Sequence, residues 1–274
     1  MNWLSRNDAR FGNKIFAYFF LAYLQRHSGI KCTASEWLGN SLFTLPFPIP
    51  SKSCEPYLRI NLEGVTNRNS TPLDNVHLIE SIYKQTNLPI DIAGSFQYNT
   101  DKYQADDKEL FLATYRLNET SSNLLKNIIR EQKITGHFIA IHYRAGDYLK
   151  FSRHPIFWTP PFSSVIEIAK SLISNFPTAK LFLASDSLSH KIQFRDTFPH
   201  HTIWNESVSK SFKNDLIFDF LMLTQANLVV ASNSSFSIAA CMMNTIAGNF
   251  VRPLNRDGNY VVFDPWKTQV LIPC

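Results

Sequence analysis

The strongest alternation in this chain lies in KITGHFIAIHYR, residues 133–144, where Ile139, Ile141 and Tyr143 interleave with Phe138, Ala140, His142 and Arg144. A period of two, with β-branched residues and apolar positions on both faces, predicts a buried strand. Gly146-Asp147 predicts its end. KLFLAS (180–185) and NLVVAS (227–232) predict two more strands, and a short one is expected at 202–204. Between them the pattern predicts helices over about 161–175, 189–194, 214–225 and 237–244. Pro160-Pro161 suits the first turn of the first of these. Strand and helix in alternation predict a parallel sheet with right-handed crossovers. Three strand ends, at Arg144, Asp186 and Asn233 to Ser235, then meet on one edge of that sheet. In open α/β sheets that edge is where ligands bind.

The first half is less regular. A helix is expected over about 13–27, ending near Gly29, with Gly12-Asn13 in a loop just before it. Backbone N–H groups at such a start are unpaired and favour anions. The run IFAYFFLAYL (15–24) follows Arg6, Arg10 and Lys14, as the core of a signal peptide would. It is too short to span a bilayer, Gln25, Arg26 and His27 follow it directly, and no small-x-small cleavage site stands at the right distance. A buried helix without a targeting role is the expectation. Residues 40–75 are rich in Pro, Ser and Asn and predict irregular structure, with one strand at 58–62. LPIDIAGSFQYN (88–99) predicts a strand leaving through Gly94. Helices are expected over about 105–116, with Leu110, Phe111 and Ala113 inward, and over 122–132, with Leu124, Leu125, Ile128 and Ile129 on one face. Residues 133–136 then link two domains, 1–135 and 136–274.

Composition narrows the function classes. With 274 residues, 45% hydrophobic and 18% charged, the chain can bury one large core or two modest ones. The formal charge of +5 is scattered, with no basic run and no nucleic-acid fold signature, so nucleic acid is a weak candidate partner. A mild positive excess suits an anionic small substrate or an anionic membrane surface equally well. Of the four cysteines, Cys32, Cys54, Cys241 and Cys274, none forms a CxxC pair or a zinc spacing with histidine. Free thiols in a reducing cytoplasm are the default, and a Cys32–Cys54 disulfide is also compatible with the sequence. There is no GxxxxGK[ST] loop, no GxGxxG fingerprint and no DxD triplet. A diphosphate would therefore be neutralised here by side chains and helix ends.

His142 and Arg144 leave the predicted strand on one face, at its carboxyl end. The guanidinium keeps its charge, and its planar fork suits phosphate oxygens. The plainer reading pairs Arg144 with Asp147 and makes His142 a satisfied polar residue. On these residues alone the two readings are evenly matched.

Four stretches in order resemble the bacterial α-1,2-fucosyltransferases and, more distantly, the wider fucosyltransferase superfamily. RFGNKIFAYFFLAYL (10–24) resembles that family's opening GLGNQMFQYAFA, and GSFQYNTDKY (94–103) its GYFQS–KY segment. HYRAGDY (142–148) resembles HxRRGDY, and ASNSSFSIAACMMN (231–244) resembles NSSFSWWAA. The match is colinear over nearly the whole chain. Ala145 replaces the usual second arginine, Lys14 a glutamine, Ser187 an acidic residue, and Ile238-Ala239 two tryptophans. Arg10-Phe11-Gly12-Asn13 leans toward the protein O-fucosyltransferase version.

The resemblance implies an α/β, GT-B-like fold with two facing Rossmann-type lobes and mostly parallel sheets. The N-terminal lobe would take the acceptor and the C-terminal lobe a GDP-sugar. It implies a metal-independent, inverting glycosyltransferase that moves L-fucose from GDP-β-L-fucose to a galactoside hydroxyl, α-1,2 and in bacterial surface glycan synthesis. The open alternatives are another GDP-sugar, a protein acceptor, or a non-catalytic GDP-sugar- or glycan-binding relative. Arg144, Asn13 and His142 would be catalytic. Gly12, Arg144, His142, Asp186, Asn233, Ser234, Ser235 and Phe236 would hold the donor, with Gln97, Tyr98 and Asp147 on the acceptor side. No cofactor is expected. The partners would be the GDP-sugar and a glycan acceptor, lipid-linked in one version, and the location cytoplasmic with peripheral contact at the inner membrane face. Asp219, mid-helix among apolar residues, is expected to be structural.

Overall fold

The computed structural model describes residues 2–3, 10–48, 58–62, 70–134, 136–151, 154–203 and 215–274. It divides into two compact units, Met1–Ser122 with Trp266–Gln269, and Asn123–Pro265 with Val270–Cys274. The division thus falls ahead of residue 135, and a short C-terminal stretch belongs to the first unit.

The first unit carries a parallel sheet ordered β2-β1-β4-β3, from β1 (Asn2–Trp3), β2 (Thr33–Ala34), β3 (Leu58–Asn61) and β4 (Ile90–Ala93). Its central helix, α1 (Phe11–Ser28), is apolar on all sides and is accordingly buried over Ile15 to Leu24. No helix among the described residues is long and apolar enough to cross a membrane. Gly29 ends α1 at φ 72°, and its N–H returns to the Gln25 carbonyl. Gly12 and Asn13 lie inside the first turn, because the helix starts two residues earlier than the pattern predicts.

Irregular structure does not extend to residue 75, because α2 (Pro72–Thr86) begins with a capping box. The Thr71 hydroxyl accepts from Asp74 N at 3.1 Å, and the Asp74 carboxylate accepts from Thr71 N at 2.7 Å. In α3 (Ala105–Thr114) the inward residue is Phe111, whereas Leu110 is half-buried and Ala113 is exposed. Phe111 meets Phe19 edge-on at 4.9 Å, and the Tyr115 hydroxyl bonds the Ile15 carbonyl. α4 (Glu119–Glu131) buries Leu125 and Ile128. Cys32 is a buried free thiol, and Cys54 lies outside the described residues.

The second unit carries a five-stranded sheet ordered β6-β5-β7-β8-β9. Its strands are β5 (Phe138–Tyr143), β6 (Lys180–Ser185), β7 (Leu228–Val230), β8 (Asn249–Pro253) and β9 (Tyr260–Val262). All pairs are parallel except β8 with β9. The helices are α5 (Phe162–Asn175), α6 (Leu188–Thr197), α7 (Asp215–Thr224) and α8 (Ser235–Met243). Every residue of β5 is buried, as its two-sided apolar pattern requires. Ile139, Ile141 and Tyr143 pack with Val165, Ala169 and Leu172 of α5 and Phe194 of α6. His142 leaves on the opposite face. The strand expected at 202–204 is a single bridge from Thr202 to Leu181, and Trp204 lies outside the described residues.

Phe20 is fully buried and stacks on Phe96 at 4.4 Å. Phe20→Ala is expected to destabilise the first unit by about 3–5 kcal/mol, read by denaturant unfolding. An unchanged midpoint would remove α1 from the centre of that core.

Candidate functional site

The register of β6, β5 and β7 brings their carboxyl ends side by side, with Tyr143 opposite Ser185 and Ile141 opposite Val230. Arg144 follows β5 directly. Its Nη1 lies 2.5 Å from Asp186 Oδ2, and its Nη2 donates to Asp147 Oδ1 at 2.6 Å. The guanidinium also stands over the Tyr148 ring, 5.4 Å from its centre. The pairing with Asp147 is therefore real, and Asp186 adds a second clamp. A guanidinium carries five N–H donors, so the clamped fork keeps donors for a third, anionic partner.

Asp186 also accepts from Ala145 N at 2.9 Å. One carboxylate thus fixes both the arginine and the backbone beside it. Gly146, at φ 21°, allows this approach, because a Cβ there would collide with the Asp186 carboxylate. The Ala145 side chain points away from this cluster into the α5–α6 core. An arginine at 145 would overpack that core rather than supply a second cation.

His142 is buried, its Nδ1 2.7 Å from the Ser232 hydroxyl and its ring 5.0 Å from Phe236. Burial, then the charges of Arg144 and Lys191, push its pKa down to about 3. The imidazole is neutral at physiological pH and is held by Ser232 and Phe236 on the strand that leads to the arginine. Phe236 bridges His142 and Phe220. Ser234 caps α8, its hydroxyl accepting from Phe236 N at 3.3 Å, and Ser235 opens the helix.

Asn233 does not face a ligand. It is fully buried, and its amide donates to the Ile156 and Ile272 carbonyls at 2.8 and 3.0 Å. Its oxygen accepts from Arg252 Nη2 and Ile272 N at 3.0 and 2.9 Å. All of its hydrogen-bonding capacity is used within the chain. It holds the turn before α8 in place.

In the first unit, Asn13 Oδ1 accepts from Gln97 Nε2 at 2.8 Å, so two of the expected site residues meet at the start of α1. Gly12 is buried beside them. Tyr98 is a core residue instead of an acceptor contact: it is buried, and its hydroxyl accepts from Asn75 Nδ2 at 2.6 Å.

Sequence reasoning missed Ser232 and Lys191 and gave Asp219 no role at the site. Asp219 accepts from Ser185 N at 3.0 Å and from Lys191 Nζ at 2.9 and 3.0 Å. Burial pushes its carboxyl up to about 7, against the lowering pull of Lys191 and the Ser185 N–H. The available signal was a carboxylate inside the apolar run DLIFDFLML. Among the described residues no group of three or more His, Cys, Asp or Glu is arranged to hold a metal.

No family model and no curated protein matches this chain. Solved structures do. Fucosyltransferase NodZ from Bradyrhizobium is 13% identical, with a TM-score of 0.60 over 96% of this chain and 97% of that one. The NodZ α-1,6-fucosyltransferase soaked with GDP-fucose is 12% identical, with a TM-score of 0.56 over 96% and 97%. POFUT1 in complex with GDP-fucose is 11% identical, with a TM-score of 0.62 over 90% and 94%. At these identities the likeness shows the fold, a GT-B-like α/β architecture.

A histidine whose folded pKa lies below its ordinary 6.5 stabilises the fold in full above about pH 6.5 and loses that contribution as pH falls toward 3. Asp219, raised to about 7, works in the opposite direction over the same range, so the test is a difference: between pH 7 and 5 the wild type should lose melting temperature relative to His142→Gln. The same pH dependence in wild type and variant would contradict a neutral, buried His142.

Proposed function

We propose that this chain is an inverting, metal-independent glycosyltransferase that moves L-fucose from GDP-β-L-fucose to a glycan hydroxyl. The second unit would take the donor and the first unit the acceptor. The observation that carries the reading is Arg144, a permanent cation clamped at the carboxyl edge of a parallel sheet. The fold likeness to solved fucosyltransferases supports it. In the reaction the acceptor oxygen attacks the anomeric carbon, and the bond from that carbon to the β-phosphate oxygen breaks. The electron pair leaves with GDP, and the hydroxyl proton passes to solvent. Negative charge grows on the phosphate as that bond breaks, so a fixed guanidinium contributes most in the transition state. Asn13, with Gln97 orienting its amide, would serve the sugar or acceptor side. Ser234, Ser235 and Phe236 at the start of α8 would line the nucleotide, while Asp186 and Asp147 hold the arginine.

A galactoside 2-hydroxyl in a bacterial surface glycan, lipid-linked and met at the inner membrane face, is the first reading of the acceptor. A different acceptor, sugar or protein, is the second. It is favoured by Arg10-Phe11-Gly12-Asn13 and by likenesses that include an α-1,6-fucosyltransferase.

A panel of GDP-fucose, GDP-mannose and UDP-galactose, with nucleotide release as readout, tests the reading. GDP-fucose should turn over, with activity undiminished by EDTA, and GDP should raise the melting temperature more than UDP. Turnover of the UDP-sugar, or activity lost in chelator and restored by Mn²⁺, would contradict it. GDP binding without turnover of any donor would leave a non-catalytic binding protein.

A further inference from the structure

Lys191 and Asp219 form a nearly enclosed ion pair, with side chains 17% and 7% exposed, which the proposed chemistry leaves without a role. Such a pair is weak evidence for stability, because desolvation offsets its attraction. Its placement is more informative. Asp219 Oδ2 accepts from Ser185 N, the last residue of β6. The Ser185 hydroxyl donates to the Tyr143 carbonyl at 2.8 Å and accepts from Ser187 N at 3.2 Å. The backbone is thus pinned on both sides of Asp186, and the end of β6 is tied to the end of β5. From that fixed backbone the Asp186 side chain reaches Ala145 N and Arg144.

We propose that Asp219, clamped by Lys191, is a positioning residue that fixes the end of β6 and so holds Asp186, and through it Arg144, in the geometry that receives the donor diphosphate. The last step rests on the donor reading above, whereas the mechanical chain from Asp219 to Arg144 does not. Asp219→Asn keeps the shape of the side chain but removes its charge, and because Lys191 Nζ bonds both carboxylate oxygens, the new NH2 faces the ammonium whichever way the amide is turned, which breaks the clamp.

Two measurements on the full chain test this. Without ligand, hydrogen exchange at Ala145 N–H, whose partner is Asp186, should be at least several-fold faster in Asp219→Asn while exchange in α5 is unchanged. With GDP, Asp219→Asn should bind about tenfold more weakly, and Asp186→Asn should bind more weakly too. The double variant should bind no worse than Asp186→Asn alone, because the first residue acts only through the second. If Asp219→Asn does not fold, Lys191→Met, which releases the clamp, carries the same cycle. Unchanged exchange at Ala145 overturns the proposal whatever GDP does. So do losses that multiply in the double variant, which would mean that the pair acts independently of Asp186. Faster exchange in a chain whose wild type does not bind GDP would uphold the positioning and sink the donor reading.

Discussion

The site depends on one interaction, the grip of two carboxylates on Arg144. A guanidinium at the end of a strand is a long, mobile side chain unless something holds it. Here Asp186 reaches across from the neighbouring strand end and Asp147 from the following turn, and the Tyr148 ring closes one face. The local ledger is one positive and two negative charges, so the cluster alone does not attract anions. What it provides is direction. The arginine is held with spare donors, and its geometry is set before any ligand arrives, which is the condition under which a fixed charge does most for a developing oxyanion.

That grip reaches back into the fold. Asp186 can approach because residue 146 is glycine, and because Ser185 is anchored by Asp219 and bonded to the end of β5. Neutral, buried His142 lies on the strand that leads to the arginine, tied to Ser232 at the end of the next strand. Asn233 uses its whole amide to hold the turn into α8, where Ser234 then caps the helix. In the first unit, the buried α1 presents Asn13 in its first turn, with Gln97 fixing the amide. One difference from the motifs that the sequence resembles has a physical reason. Ala145 is small because its side chain belongs to the core, and the space an arginine would need is filled by α5 and α6.

Much of this was legible in the sequence. The strands β5, β6 and β7 announced themselves through apolar residues on both faces, and their parallel order followed from the helices between them. The placement of His142 and Arg144 on one face followed from the period of two. The helix α2 was not read at all, although Thr71, Pro72 and Asp74 spell out its cap, because the Pro- and Asn-rich stretch before it dominates the window. The hairpin β8–β9 was not read at all, its strands being short and half-exposed. Tyr98 and Asn233 looked like ligand contacts because they stand in family-like motifs, yet their polar atoms are spent on Asn75 and on the turn before α8. The Lys191–Asp219 pair joins residues on different helices, and nothing local in the sequence reports such a contact.

The central claim, that Arg144 is the cation for a donor diphosphate, is tested most directly by calorimetric titration of wild type and Arg144→Ala with GDP and with guanosine. Wild type should bind GDP far more tightly than guanosine. In Arg144→Ala the GDP affinity should fall by roughly 10–100-fold, in line with the ~1.5–3 kcal/mol of a charged hydrogen bond, while guanosine binding is unchanged, so that the gap between the ligands narrows. A gap of the same size in the variant would contradict the account, because the diphosphate would then be held by some other group.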